Sequence, residues 1–192
     1  MNDFAFYFDV GFKHIISADA LDHQLFIVAL AAIYRIANFK AVLILVTAFT
    51  VGHTVTLVLA AYDIIRFSNK WVEFLIPLTI VITALFNFFQ KEYGAKLLKA
   101  NYFIALAFGH IHGAGFANTI RFMLAKDQAV ALPLLGFNVG LELGQIAVVI
   151  LILGLNYLMI NKAGLPQKWW VRILSGLAFI IAAYICVNRW PA

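Results

Sequence analysis

The chain has one cysteine, Cys186, among 192 residues. That excludes an internal disulfide and any cysteine-rich metal site. Charge is scarce too: Asp, Glu, Lys and Arg make up 12%, where a soluble domain carries about 25%. Hydrophobic residues make up 64%, against about 45–50% in a soluble domain. Mean hydropathy is +0.93. No water-soluble fold could hide this much apolar surface, so lipid must cover it. Common enzyme motifs are missing: there is no Walker loop, GxSxG elbow, HExxH or dinucleotide fingerprint. Residues 1–10 hold Asp3 and Asp9 but no basic residue, which is not the start of a cleaved signal peptide. The formal charge of +5 would suggest nucleic acid in a soluble protein. Here the basic residues flank apolar segments, so lipid head groups explain them and no nucleic-acid partner is expected.

A spanning helix needs roughly 20 apolar residues. The chain therefore predicts an all-α, polytopic membrane helical bundle of about six transmembrane helices. Residues 1–192 form a single integral membrane domain with the bilayer as partner, and a homo-oligomer stays open. Residues 1–13 read as interfacial, and helices are predicted over 14–37, 41–62, 71–89, 101–123, 134–157 and 169–187. Polar or basic connections fall at 63–70, 91–99, 126–128 and 162–168. Pro77 is expected to kink the third helix. Pro133 and Gly136 suggest a separate entry segment before the fifth. Trp169, Trp170 and Trp190 read as interface anchors. Basic residues are more numerous in the first, third and fifth loops, which puts both termini on the non-cytoplasmic side.

Against this apolar background stand five histidines: His14, His23, His53, His110 and His112. Asp22, Asn138, Glu142 and Gln145 lie in apolar surroundings as well. Ionisable groups inside a bilayer are costly and persist where they face a partner or a water-filled cavity. Imidazole and carboxylate together are ligands for Ni, Co or Zn. Asp22 and His23 are adjacent, so on a helix they point about 100° apart. Asp22 could then hold another imidazole by its free N–H while His23 binds an ion. His53 follows Thr50 on one helical face, and Gly52 leaves room for a neighbour. Residues 108–117, FGHIHGAGFA, carry His110 and His112 at i and i+2, about 200° apart on a regular helix. Both face one site only if the helix unwinds, which Gly109, Gly113 and Gly115 would permit, so helix four is expected to be glycine-broken. If it stays regular, one histidine faces the centre and the other packs against a neighbour. Asn138, Glu142 and Gln145 form one stripe on helix five. A polar zipper between helices is the alternative for that stripe.

The four segments GFKHIISADALDHQLF, AFTVGHTVTL, FGHIHGAGFA and FNVGLELGQ stand in the order and spacing of the HupE/UreJ family of bacterial membrane proteins. The chain resembles that family over residues 11–149. The resemblance implies a secondary nickel or cobalt permease of the inner membrane. It carries His14, Asp22 and His23, then His53, then His110 and His112, then Glu142 with Gln145. In the best-known permeases of the family the histidine-to-DH spacing is shorter, with a glycine before the pair. Here the stretch is longer and holds Ala20, which places the chain in a divergent branch.

Residues and resemblance together predict a divalent metal ion (Ni, Co or Zn) as the ligand. His14, Asp22, His23, His53, His110, His112 and Glu142 are the expected metal ligands, with Thr50, Asn138 and Gln145 supporting them. A metal permease is the first reading. The alternative is a zinc-dependent intramembrane hydrolase acting on a lipid or peptide, with Asp22 or Glu142 as general base. A scaffold subunit whose polar stripe merely joins helices is the third.

Overall fold

A computed structural model of the chain describes residues 3–90, 93, 97–123 and 130–191. The expected turn at 126–128 and most of the basic loop at 91–99 lie outside the described residues. Among the described residues there are seven α-helices and no strand. They are α1 (Asp3–Ile16), α2 (Leu21–Ala31), α3 (Phe39–Ala61), α4 (Asn69–Phe89), α5 (Leu98–Met123), α6 (Ala131–Tyr157) and α7 (Gln167–Asn188). A π-helical turn, Leu158–Lys162, extends α6.

Four of these helical stretches are long and apolar enough to cross a bilayer: Ile36–Ala61, Asn69–Phe89, Ala131–Lys162 and Gln167–Asn188. The sequence predicted about six. The difference has two sources. The expected first helix is two helices: α1 begins at Asp3, inside the stretch read as interfacial, and stops at Ile16. α5 is long enough, but its imidazoles, amides and glycines dilute its apolar character. The segment around Pro133 also differs from expectation. It is the first turn of α6 itself, where the N–H that proline lacks would have had no helical partner.

The outer surface is apolar. On α7, Ile173, Leu177, Ile180, Tyr184 and Val187 form an exposed stripe at helical spacing. Val171, Ser175, Ala178 and Ala182 form the buried stripe. Exposed leucine and isoleucine along a continuous face fit lipid contact and not water.

Two glycine seams hold the interior. α3 lies against α5, and α1 against α6. A Cβ on Gly109 would sit 2.2 Å from the Phe49 carbonyl oxygen, and one on Gly52 2.2 Å from that of Leu106. On the other seam, a Cβ on Gly11 would meet the Phe137 carbonyl oxygen at 2.0 Å, and one on Gly140 that of Phe8 at 2.1 Å. Backbones this close gain dispersion contacts that larger residues would prevent, the main attraction between helices in lipid. The glycines of residues 109–115 therefore serve packing. α5 runs unbroken through them, which corrects the expected glycine break.

The turn after α3 is tied by ions. Arg66 donates from Nε to Asp63 Oδ1 (2.8 Å) and from Nη2 to Oδ2 (2.6 Å), and Arg121 of α5 donates to Oδ1. The Arg66 hydrogen bond is the main cause holding the Asp63 carboxyl below its usual range. A carboxyl lowered on folding adds stability above its unfolded value, near pH 3.9, and loses it as pH falls through the folded value. Asp63 has φ 57°, the left-handed region that asparagine also tolerates. Asp63→Asn is expected to lower the melting midpoint slightly at pH 7 and to flatten the acid end of the stability curve. Asp63→Ala should cost more, through backbone strain. Melting scans across pH would check both.

Candidate metal centre

Four helices deliver the histidines. His14 lies near the end of α1, His23 in the first turn of α2, His53 in the middle of α3 and His112 in the middle of α5. On one unbroken helix His14 and His23 would be about 13.5 Å apart along the axis. The turn at residues 17–20 removes that separation. Ser17 is extended (φ −69°, ψ 158°), which ends α1. Gln24 Nε2 then donates to the carbonyls of Ile15 (3.0 Å) and Ser17 (2.9 Å), occupying acceptors freed at the helix end. The chain folds back, and the His14 and His23 ring centres come within 4.7 Å.

One nitrogen from each of His14, His23 and His53 lies within 4.8 Å of the other two. The His53 ring is 6.2 Å from His14 and 6.3 Å from His23. His112 adds a fourth ring, 4.9 Å from His23. Phe49 and Phe137 flank His53, and Phe116 lies 4.6 Å from His14. The walls are thus aromatic.

Hydrogen bonds set the tautomers. Asp22 Oδ1 accepts from the His23 backbone N–H (2.8 Å) and from His23 Nδ1 (3.0 Å). A carboxylate accepts only, so Nδ1 carries the proton and Nε2 keeps its lone pair. The carboxylate thus orients the imidazole of its own neighbour, not that of another helix. For His112, the Thr79 hydroxyl donates to the Ile76 carbonyl (2.7 Å) and lies 3.1 Å from Nε2. With that hydroxyl proton committed, His112 Nε2–H donates and Nδ1 is left open.

Among the described residues, the buried imidazole nitrogens without a partner are then His14 Nε2, His23 Nε2, His53 Nδ1, His53 Nε2 and His112 Nδ1. An unsatisfied buried polar atom costs about 1–3 kcal/mol. Several converging on one point is the pattern expected where a cation supplies the missing partner. Three imidazole nitrogens suit Zn, Ni and Co, and a carboxylate behind one of them raises its basicity. A cavity of about 300 Å³ reaches the cluster, lined in part by His14, His23, His112 and Asp22. Asp19, Glu73 and Arg189 also line it.

The remaining expected ligands lie elsewhere. His110 Nδ1 donates to the Leu106 carbonyl of its own helix (2.8 Å), and its ring packs over Gly52. With α5 regular, His110 and His112 face different ways. Glu142 accepts from Thr47 Oγ1 (2.6 Å) at the outer edge of the α3–α6 contact. Thr50 donates to Gln145 (3.0 Å), also between α3 and α6. Asn138 approaches His53 without reaching hydrogen-bond geometry. Sequence reasoning passed over Thr79 and Glu73. Thr79 carried no signal, since threonines are common in spanning helices. Glu73 is the one carboxylate of α4, and the rule that singled out Glu142 would have found it.

The bundle is that of a polytopic helical membrane protein with a buried histidine cluster. The chain belongs to the HupE/UreJ family: the family described as HupE / UreJ protein matches residues 1–189. That family is associated with nickel and cobalt transport or maturation. No curated protein and no solved structure matches the chain.

Proposed function

We propose that the protein is a permease for a divalent transition metal (nickel, cobalt or zinc) in a bacterial inner membrane. The observation that carries this reading is the set of unpartnered buried nitrogens on His14, His23 and His53, contributed by three separate helices. A site shared among helices can open when they move, as a transporter requires and a purely structural site does not. Asp22 orients His23, and His112 stands beside it as a fourth donor for a passing ion. Asp19 and Glu73 at the cavity would raise the local cation concentration. Both termini lie on the non-cytoplasmic side in this reading, α5 and the α1–α2 pair each counting as a crossing.

Proteoliposomes holding the protein are expected to accumulate cobalt or nickel. A folded variant with His14, His23 and His53 all changed to alanine should match empty liposomes. Normal uptake by that variant would overturn the proposal.

A zinc-dependent intramembrane hydrolase is a second reading, favoured by one observation. Three imidazoles leave a coordination position free, and the adjoining cavity also exposes Asp22. It predicts one tightly held zinc after purification without added metal, whereas a permease predicts exchangeable metal.

A further inference from the structure

A second cavity, of about 110 Å³, lies further along the helices that line the histidine cavity. α2, α4 and α5 each contribute to both, at different ends. On α2 the histidine cavity takes His23 and the second takes Leu30. On α4 they take Ile76 and Thr83, and on α5, which runs the other way, His112 and Asn101. The described lining of the second cavity holds no charged side chain, but Thr83, Asn87, Gln90 and Asn101 are polar. Thr83 Oγ1 donates to the Thr79 carbonyl (2.8 Å). Asn87 Nδ2 donates to the Ala29 carbonyl (2.7 Å) and the Ser175 hydroxyl (2.9 Å). Asn101 Nδ2 donates to the Tyr34 hydroxyl (2.8 Å). Each of these bonds uses hydrogen and leaves oxygen lone pairs, which suit a cation or the water around it.

Two rings stand between the cavities. Phe26 lies on α2 between His23 and Leu30, and Phe108 lies on α5 between Asn101 and His112, both at helical spacing. Phe26 is buried, and its ring is 6.0 Å from Phe108 and 5.4 Å from His112. On α4, Thr79 Oγ1 lies 3.1 Å from His112 Nε2, about one turn before Thr83. We infer that the second cavity is a further resting site for the transported divalent cation with its water, and that Phe26 with Phe108 closes the way to it. The identity of the cargo rests on the permease reading, but the closed way does not. An apolar constriction excludes a hydrated ion until it opens. Neutral oxygens hold a transition metal more weakly than imidazoles do, so an ion that passes the rings is poised for release. The glycine seam locks α5 to α3, so the ring on α2 is the one that moves.

The test uses the full chain carrying Cys186→Ser, in right-side-out and inverted membrane vesicles, with a charged, membrane-impermeant methanethiosulfonate as probe. Asp19→Cys marks the mouth of the histidine cavity and Thr83→Cys marks the second cavity. The two are expected to label from opposite faces of the membrane. Adding Phe26→Ala should let probe from the Asp19 face label Thr83→Cys about tenfold faster. Cobalt efflux from loaded vesicles is the second measurement. Phe26→Ala should speed it about tenfold, whereas Phe103→Ala, which removes an exposed ring of α5, should leave it unchanged. Thr83→Cys labelled from the Asp19 face with Phe26 in place, or from neither face, would overturn the inference. So would labelling and efflux that are the same with and without Phe26. Cobalt flux absent in every variant, with the Phe26-dependent labelling intact, would support the closed way and count against the permease reading alone.

Discussion

His53→Ala is expected to weaken cobalt binding by at least about a hundredfold. Groups that merely orient a ligand typically cost about 10–100-fold when removed, so loss of a ligand should exceed that range. His53 is the ring to test because it has no exposure and neither nitrogen has a hydrogen-bond partner. It is held between Phe49 and Phe137, and α3 is pinned to α5 by the glycine seam. Asp22→Asn should fall within the 10–100-fold range, because it leaves all the rings in place but loosens His23. His110→Ala should leave cobalt affinity unchanged, since His110 bonds to its own helix. Calorimetry, together with the visible absorption of bound cobalt, reads all three. Equal affinities across the wild type, His53→Ala and His23→Ala would sink the proposed centre.

The second large effect is on packing. Gly109→Ala should destabilise the bundle, although alanine is the better helix former. In a helix interior that exchange is worth about 1 kcal/mol in alanine's favour. Against it, the new methyl would lie 2.2 Å from the Phe49 carbonyl oxygen, which belongs to a backbone and cannot rotate away. Overpacking costs about 1–3 kcal/mol, and a backbone clash belongs at the top of that range. The net expectation is a loss of about 2 kcal/mol. Separation of α3 from α5 would also move His53 away from His112, so metal affinity should fall with stability. Gly154→Ala is the control. A Cβ there meets nothing within 4 Å, so this variant should be neutral or slightly more stable. Unfolding in mixed micelles, followed by tryptophan fluorescence, compares the two. Equal effects would mean that the seam is not a close backbone contact.

Much of the molecule was legible in the chain. The apolar runs that became α3, α4 and α7 were predicted within about two residues, because lipid leaves a spanning segment few alternatives to helix. His14, Asp22, His23 and His53 were singled out because a polar group amid apolar neighbours stands out locally. Their supporting geometry was not legible. The break at Ser17 depends on Gln24 reaching back to the carbonyls of Ile15 and Ser17. A contact across nine residues leaves no periodic trace.

What the sequence determined by itself is that this chain lives in lipid, is helical, and carries imidazoles and carboxylates where they are costly. Those properties follow from composition and local order. The tertiary structure alone decided which of these groups meet. Rotation of each helix about its axis is set by where neighbouring backbones can approach, here by the glycine contacts of α1 with α6 and of α3 with α5. That rotation turned His112 inward and His110 aside, and it left Glu142 in a groove of its own. A side chain's direction on a helix is a local property, but what lies in that direction depends on the packing of the whole bundle.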